Sequence, residues 1–227
     1  MKARFLDPSE LARAYRDPLS LVSLAVDLMP VIAVFAFGWG ATPLVALYWL
    51  ENLVIGAFTI LRMIAISAWI RSFGIFAMAL FLMIFFLFHY GMFCFVHGAF
   101  IRALASGGGS DGFELLSLIP WALGTAPEMV WFVAAIIGVS ALYYVFDFLL
   151  GDDYKISTLT TEMFSPYGRV MTLHTGILLG AGVAFSLNEP LAGVLLLIFI
   201  RVVFGIALTV LRQRKRGARP GSPGAPA

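Results

Sequence analysis

Six runs of apolar residues, each long enough to cross a bilayer, fill most of this 227-residue chain. A helix needs about 20 apolar residues to cross the hydrocarbon core of a membrane. Hydrophobic residues make up 61% of the chain and charged residues only 12%, whereas soluble domains carry about 25% charged residues. The sequence therefore predicts an all-α integral membrane bundle of six transmembrane helices.

The predicted spans divide the chain into three regions. Residues 1–18 are expected to form a cytoplasmic N-terminal interfacial helix, because Asp7-Pro8-Ser9-Glu10 has the composition of a helix start. Residues 19–211 form the six-span membrane domain, and residues 212–227 form a basic, disordered cytoplasmic tail. The six predicted spans are approximately Leu19–Gly38, Pro43–Ile66, Phe73–Ala103, Pro127–Leu150, Arg169–Leu187 and Leu191–Leu211.

The Lys and Arg residues predict the orientation of the bundle. Of the 15 Lys and Arg residues, all but Arg102 and Arg201 lie in the two tails, in the junction between spans 2 and 3, or in the loop between spans 4 and 5. Loops rich in Lys and Arg stay in the cytoplasm. Both termini are therefore predicted to be cytoplasmic, and an even number of spans agrees with this, because it places both termini on the same side of the membrane.

The expected partner of the chain is the lipid bilayer. Five positive charges follow the last predicted span between Arg212 and Arg219, and they match anionic lipid headgroups, so we expect no nucleic-acid partner. A homo-oligomer or another membrane partner stays open. The single cysteine, Cys94, excludes an internal disulfide and a metal site built from several cysteines.

Span 2 carries a carboxylate at membrane depth. A charged side chain there costs about 2.5–3.5 kcal/mol, so Glu51 must be protonated, paired or hydrated. Tyr48, Asn52 and Gly56 follow one another at intervals of one turn and form a narrow polar seam suited to helix contact. Two interpretations stand: an interhelical hydrogen-bond clamp, or a carboxylate that binds a proton, an ion or a substrate.

Spans 3 and 5 contain all three histidines. His89 and His97 lie about 12 Å apart along a helix axis, too far to bind one ion from a straight helix. Tyr90, Cys94 and His97 share one helical face, and His174 is predicted to face a neighbouring helix or a cavity. These histidines are either interior hydrogen-bonding groups or ligands and proton relays.

Arg201 lies near the middle of span 6, too deep for its side chain to reach the membrane surface. An arginine at that depth requires a counter-ion. Glu51 is the first choice, because it lies at a similar depth, and Asp27 in span 1 is the second choice.

Enzyme motifs are weak in this chain. Gly138-Val139-Ser140 in span 4 with His174 resembles an intramembrane serine hydrolase dyad, but a second glycine is missing and the two residues lie at different depths. A haem would need two histidines at one level, for which His89 and His174 are the best pair. No cofactor is strongly implied, and a metal would use His89, His97 and His174.

Several motifs together resemble a family of bacterial membrane proteins known as a domain of unknown function. The similar residues are Tyr48-Trp49-Leu50-Glu51-Asn52 with Gly56, His89-Tyr90-Gly91 with Phe93 and His97-Gly98, and Arg169 with Leu173-His174. The resemblance covers about residues 20–210 and implies a multi-pass protein of the bacterial inner membrane. In span 6 the family pattern would be a lysine with an acidic residue, where this chain has Arg201 and no acid.

Three functions follow from these observations. The leading hypothesis is transport or binding of a small solute, ion or proton through a buried polar site. The alternatives are a metal- or haem-dependent redox enzyme and a structural accessory subunit. The predicted buried polar site consists of Asp27, Tyr48, Glu51, Asn52, His89, Tyr90, His97, His174 and Arg201.

Overall fold

The computed structural model describes residue 15 and residues 18–106, 115–187 and 190–217. Most of these residues are helical, and there is no strand among them. The α-helices are α1 (Pro18–Phe37), α2 (Ala41–Ile70), α3 (Phe73–Ala105), α4 (Leu115–Leu123), α5 (Met129–Leu142), α6 (Asp153–Ile156), α7 (Leu159–Leu187) and α8 (Pro190–Gly217). A π-helical segment, π1 (Tyr143–Leu149), continues α5.

Four helices in the described part of the chain are long and apolar enough to cross a membrane. They are Pro18–Phe37, Ala41–Ile70, Phe73–Ala103 and Met129–Leu149, which correspond to predicted spans 1 to 4. The all-α prediction is confirmed over the described residues. Helices α7 and α8 cover the ranges predicted for spans 5 and 6, and the apolar stretch in α8, Leu195–Ala207, is shorter than the other four.

The last two long helices extend beyond the predicted spans. Helix α7 begins at Leu159, ten residues before Arg169, because Thr158 caps it: the amide of Thr161 donates to Thr158 Oγ1 at 3.2 Å. Helix α8 continues through the basic segment to Gly217 instead of ending at Leu211, since Arg and Lys favour helices. The predicted interfacial helix, apart from Tyr15 and Pro18, and residues 218–227 of the predicted tail lie outside the described residues.

Helix α2 is the centre of the fold. It packs against α3, α5, α7 and α8, while α1 packs against α5 and α8. Because α2 is enclosed in this way, a continuous stretch from Ala46 to Asn52 is buried. The polar residues that the sequence places in this stretch therefore face other helices and not lipid.

Two glycine contacts bring α2 and α3 close together. Trp49 packs directly over Gly98, where an added Cβ would lie 2.7 Å from the indole ring, and Tyr90 packs over Gly56, where the distance would be 2.8 Å. The indole Nε1 of Trp49 donates a hydrogen bond of 2.7 Å to the carbonyl oxygen of Cys94. These contacts fix the rotation of α3 about its axis relative to α2.

Candidate functional site

Three ionisable side chains from three helices meet near the middle of the bundle. Asp27 lies ten residues before the end of α1, Glu51 ten residues after the start of α2, and Arg201 eleven residues after the start of α8. Ten helical residues rise about 15 Å, half of a hydrocarbon core of about 30 Å. Asp27 is thus placed at the middle of its 20-residue helix, and Glu51 about a third of the way along its 30-residue helix.

Arg201 forms an ion pair with Glu51, its Nη2 contacting Glu51 Oε2. The same nitrogen lies 3.9 Å from Oδ1 of Asp27. The prediction that Glu51 is the counter-ion of Arg201 is confirmed, and the second choice, Asp27, also lies beside the guanidinium. Both carboxylates are buried, with 6% of Asp27 and 4% of Glu51 exposed.

The aromatic ring of Tyr48 forms a further wall around Arg201. The Cζ atom of Arg201 lies 4.2 Å from the centre of that ring, within the range of a cation–π interaction. Tyr48 is only 1% exposed. Since Tyr48 and Glu51 are three residues apart on α2, they present to Arg201 from one helical face.

A cavity of about 30 Å³ lies next to this ion pair, enough for one or two water molecules. We call it the Arg201 cavity. The hydroxyl of Tyr48 and the Nε of Arg201 are buried there without a hydrogen-bond partner among the described residues. The cavity is lined by Asp27, Tyr48, Glu51, Asn52, Ile55, Leu197, Ile200, Arg201, Phe204 and Gly205.

Gly205 brings Asp27 close to α8. A Cβ at this glycine would lie 2.7 Å from Oδ2 of Asp27, so a larger residue would displace the carboxylate. Our interpretation of the sequence missed Gly205. The available signal was its position, four residues after Arg201 and therefore on the same helical face.

A second cavity of about 10 Å³ contains His97. We call it the His97 cavity. Nδ1 of His97 lies 3.1 Å from the carbonyl oxygen of Phe93 and donates to it in the Nδ1-protonated tautomer. Its lining residues are Trp49, Asn52, Phe93, Cys94, His97, Ile101 and Val170. Asn52 lines both cavities, so the two cavities meet at this residue.

His89 lies apart from both cavities. It is exposed on the outside of α3, where its Nδ1 is 2.8 Å from the hydroxyl of Tyr167 and its ring stacks on Phe85. The structure therefore does not bring His89 together with Arg201. Tyr90, the next residue, is buried and donates a hydrogen bond of 3.0 Å to the carbonyl oxygen of Asn52.

The predicted metal ligands are only partly described. Residue 174 is within α7, but the side chain of His174 lies outside the described residues. Among the side chains that are described, no three His, Cys, Asp or Glu come together in a way that could hold a metal ion. The described residues thus give a site of carboxylates, guanidinium, phenol and amide.

A second, partly buried ion pair was missed by our sequence interpretation. Nη1 of Arg62 in α2 lies 3.3 Å from Oε2 of Glu162 in α7. The hydroxyl of Ser157 donates a hydrogen bond of 2.8 Å to Oε1 of the same carboxylate. The guanidinium also lies 5.3 Å from the ring centre of Phe148. Arg62 is eleven residues after Glu51 on α2, so this pair belongs to the other half of the helix and not to the Arg201 cavity.

Comparison with known proteins identifies the family and adds no activity. No curated protein and no solved structure matches the chain. The family model described as a family of unknown function, DUF6498, matches residues 9–222, which include every helix from α1 to α8. The chain therefore belongs to this family of unknown function.

Proposed function

We propose that this chain is a membrane protein that binds or transports a small polar solute, an ion or a proton through the Arg201 cavity. The observation that carries the proposal is the cavity itself, which is lined by Arg201, Glu51 and Asp27. Charged groups at membrane depth are costly and usually face a substrate or ion pathway. A purely structural ion pair needs no adjacent space, whereas a binding site does.

The proposed path continues toward His97. Asn52 lies between the Arg201 cavity and the His97 cavity. His97 is the histidine that lies nearest to this path among those with described side chains. A neutral histidine can take up and release protons near neutral pH, so His97 is the proposed relay for a proton that accompanies the solute.

The proposed membrane arrangement has six spans with both termini in the cytoplasm of a bacterial inner membrane. Four apolar helices of sufficient length support part of this arrangement. The concentration of Lys and Arg on one predicted side supports the orientation. Cysteine labelling at Ser106 and Lys155, which lie on opposite predicted sides, tests it: an impermeant reagent should label only the Ser106→Cys variant in intact cells.

The experiment for the proposed function measures flux in proteoliposomes. Wild-type protein is reconstituted, and internal pH and solute uptake are followed for protons and a panel of small cations, anions and neutral solutes. Glu51→Gln is expected to abolish the flux, which is normalised to the amount of folded protein in the vesicles. Glu128→Gln is the matched control, because Glu128 lies outside the cavity and its carboxylate accepts a hydrogen bond from the indole N–H of Trp39. Equal flux in wild type and Glu51→Gln, or no saturable flux in wild type, would contradict the proposal.

The structural alternative has its own supporting observation. The ion pairs join α1, α2 and α8 on one side and α2 with α7 on the other, so they also tie the bundle together. If Glu51→Gln lowers only the amount of folded protein in the membrane, and the flux per folded molecule equals that of wild type, this alternative is favoured. Elemental and absorption analysis of the purified protein tests the redox alternative.

A further inference from the structure

We propose that the pocket around the guanidinium of Arg201 is a recognition site for small organic monocations, guanidinium or ammonium, and that Arg201 occupies it in the resting state. This inference rests on the proposed function and names the class of its solute. Two of its helices, α1 and α2, provide the carboxylates and the aromatic ring, and α8 provides the resident cation.

The first argument is the charge of the walls. The carboxylates of Glu51 and Asp27 approach the same nitrogen of Arg201 from two different helices. Carboxylates are the groups that proteins use to bind guanidinium and ammonium ions. A free cation of the same chemistry would find the same two acceptors.

The second argument is the aromatic wall. The ring of Tyr48 lies 4.2 Å from Cζ of Arg201. An aromatic face attracts organic cations, and the attraction is strongest where water is excluded. Tyr48 is almost completely buried, so this wall favours an organic cation over a strongly hydrated metal ion.

The third argument is an unused acceptor beside unused space. The hydroxyl of Tyr48 has no hydrogen-bond partner among the described residues and lines the cavity of about 30 Å³. A phenolic oxygen accepts hydrogen bonds, so it can accept one from an ammonium or guanidinium N–H. The Nε of Arg201 is also without a partner there, so Arg201 leaves part of the pocket unsatisfied.

The geometry also gives Arg201 a place to move. An incoming cation would bind Glu51 and Tyr48, and the guanidinium would shift toward Asp27, from which it is now 3.9 Å away. Each cation would then keep one carboxylate. Binding would therefore exchange partners within the pocket without leaving a bare charge among apolar helices.

A rescue experiment tests the pocket directly. Arg201→Ala removes the resident cation and leaves the walls. We expect low-millimolar guanidinium chloride to raise the thermal unfolding temperature of purified Arg201→Ala saturably, while urea, a neutral molecule of the same shape, has no such effect. The double variant Arg201→Ala with Glu51→Gln is the matched control and should lose the response. No difference between guanidinium and urea would overturn the proposal.

A second measurement uses the wild-type protein, so it tests the proposal even if Arg201→Ala does not fold in either solute. Proteoliposomes are incubated with external radiolabelled guanidinium or methylammonium, and uptake is compared with protein-free liposomes. Saturable uptake that Glu51→Gln abolishes would support the proposal, and its absence would overturn it. If another solute shows Glu51-dependent flux while guanidinium and methylammonium show none, the proposed function stands and this inference alone fails.

Discussion

The guanidinium of Arg201 lies over the ring of Tyr48, with Cζ 4.2 Å from the ring centre, while its Nη2 contacts Glu51. A single side chain of α8 is thus held by an aromatic and an ionic contact from one face of α2. The pair is anchored on the most enclosed helix of the bundle. Substitutions at Glu51 and at Tyr48 should therefore show separately how much the ionic contact and the aromatic contact contribute to stability.

Glu51→Gln and Arg201→Gln should each destabilise the protein by about 3–5 kcal/mol, because each removes the nearest partner of a buried charge. The double variant should cost less than the sum of the two, with a coupling of about 0.5–3 kcal/mol. Unfolding in detergent with increasing denaturing surfactant measures all three. Additive costs would show that the ion pair contributes no net coupling.

Tyr48→Leu should cost about 2 kcal/mol more than Tyr48→Phe, because only the leucine removes the cation–π contact in a desolvated site. The phenylalanine keeps the ring and removes a hydroxyl that has no hydrogen-bond partner among the described residues, and deleting such a group costs little. The same unfolding measurement compares the two variants. If Tyr48→Phe is as damaging as Tyr48→Leu, the hydroxyl and not the ring holds the site together.

Gly98→Ala should destabilise the bundle by about 1–3 kcal/mol through overpacking, because the new methyl group would lie 2.7 Å from the indole of Trp49. Gly91→Ala in the same helix is the matched control, since a Cβ there meets nothing within 4 Å. Thermal unfolding of the purified variants compares them. Equal stability of the two variants would show that α3 can move away from Trp49 at no cost.

Gly205→Ala should destabilise by about 1–3 kcal/mol, since its Cβ would lie 2.7 Å from Oδ2 of Asp27. In an Asp27→Ala background the same substitution should cost much less, because the obstructing carboxylate is gone. Four unfolding curves give this comparison. If the cost of Gly205→Ala is the same in both backgrounds, the contact with Asp27 is not its cause.

The partner of Arg201 was predictable from the sequence because the depth of a residue in the membrane follows from its distance, in residues, from the end of its helix. In a helix each residue advances about 1.5 Å, so counting residues from the predicted ends placed Glu51 and Arg201 at similar levels. A cation at that depth needs a counter-ion, so the candidate partners of Arg201 were Glu51 and Asp27. The structure places both Glu51 and Asp27 at the guanidinium.

The exposure of His89 was not predictable in the same way. The sequence fixes the angle between residues of one helix, about 100° per residue, but not the rotation of that helix relative to its neighbours. His89 and Tyr90 therefore cannot both face α2. Tyr90 fits the space over Gly56, so the packing of that ring turns His89 outward to Tyr167.

The π-helical segment is a further feature that the sequence did not indicate. Residues 143–149 continue α5 with a wider turn, while their apolar composition resembles the rest of the span. The hydroxyl of Tyr143 donates a hydrogen bond of 2.8 Å to the carbonyl oxygen of Leu19 in α1. This long-range contact involves residues 124 positions apart, which no local pattern encodes.

The meeting of Asp27, Glu51 and Arg201 at one level has a mechanical consequence. Leucine and valine contacts tolerate the sliding of one helix past another, because each apolar neighbour resembles the next. Sliding α8 by one turn, about 5.4 Å, would instead carry its only central positive charge away from both acids. The three residues therefore fix the axial register of α8 relative to α1 and α2.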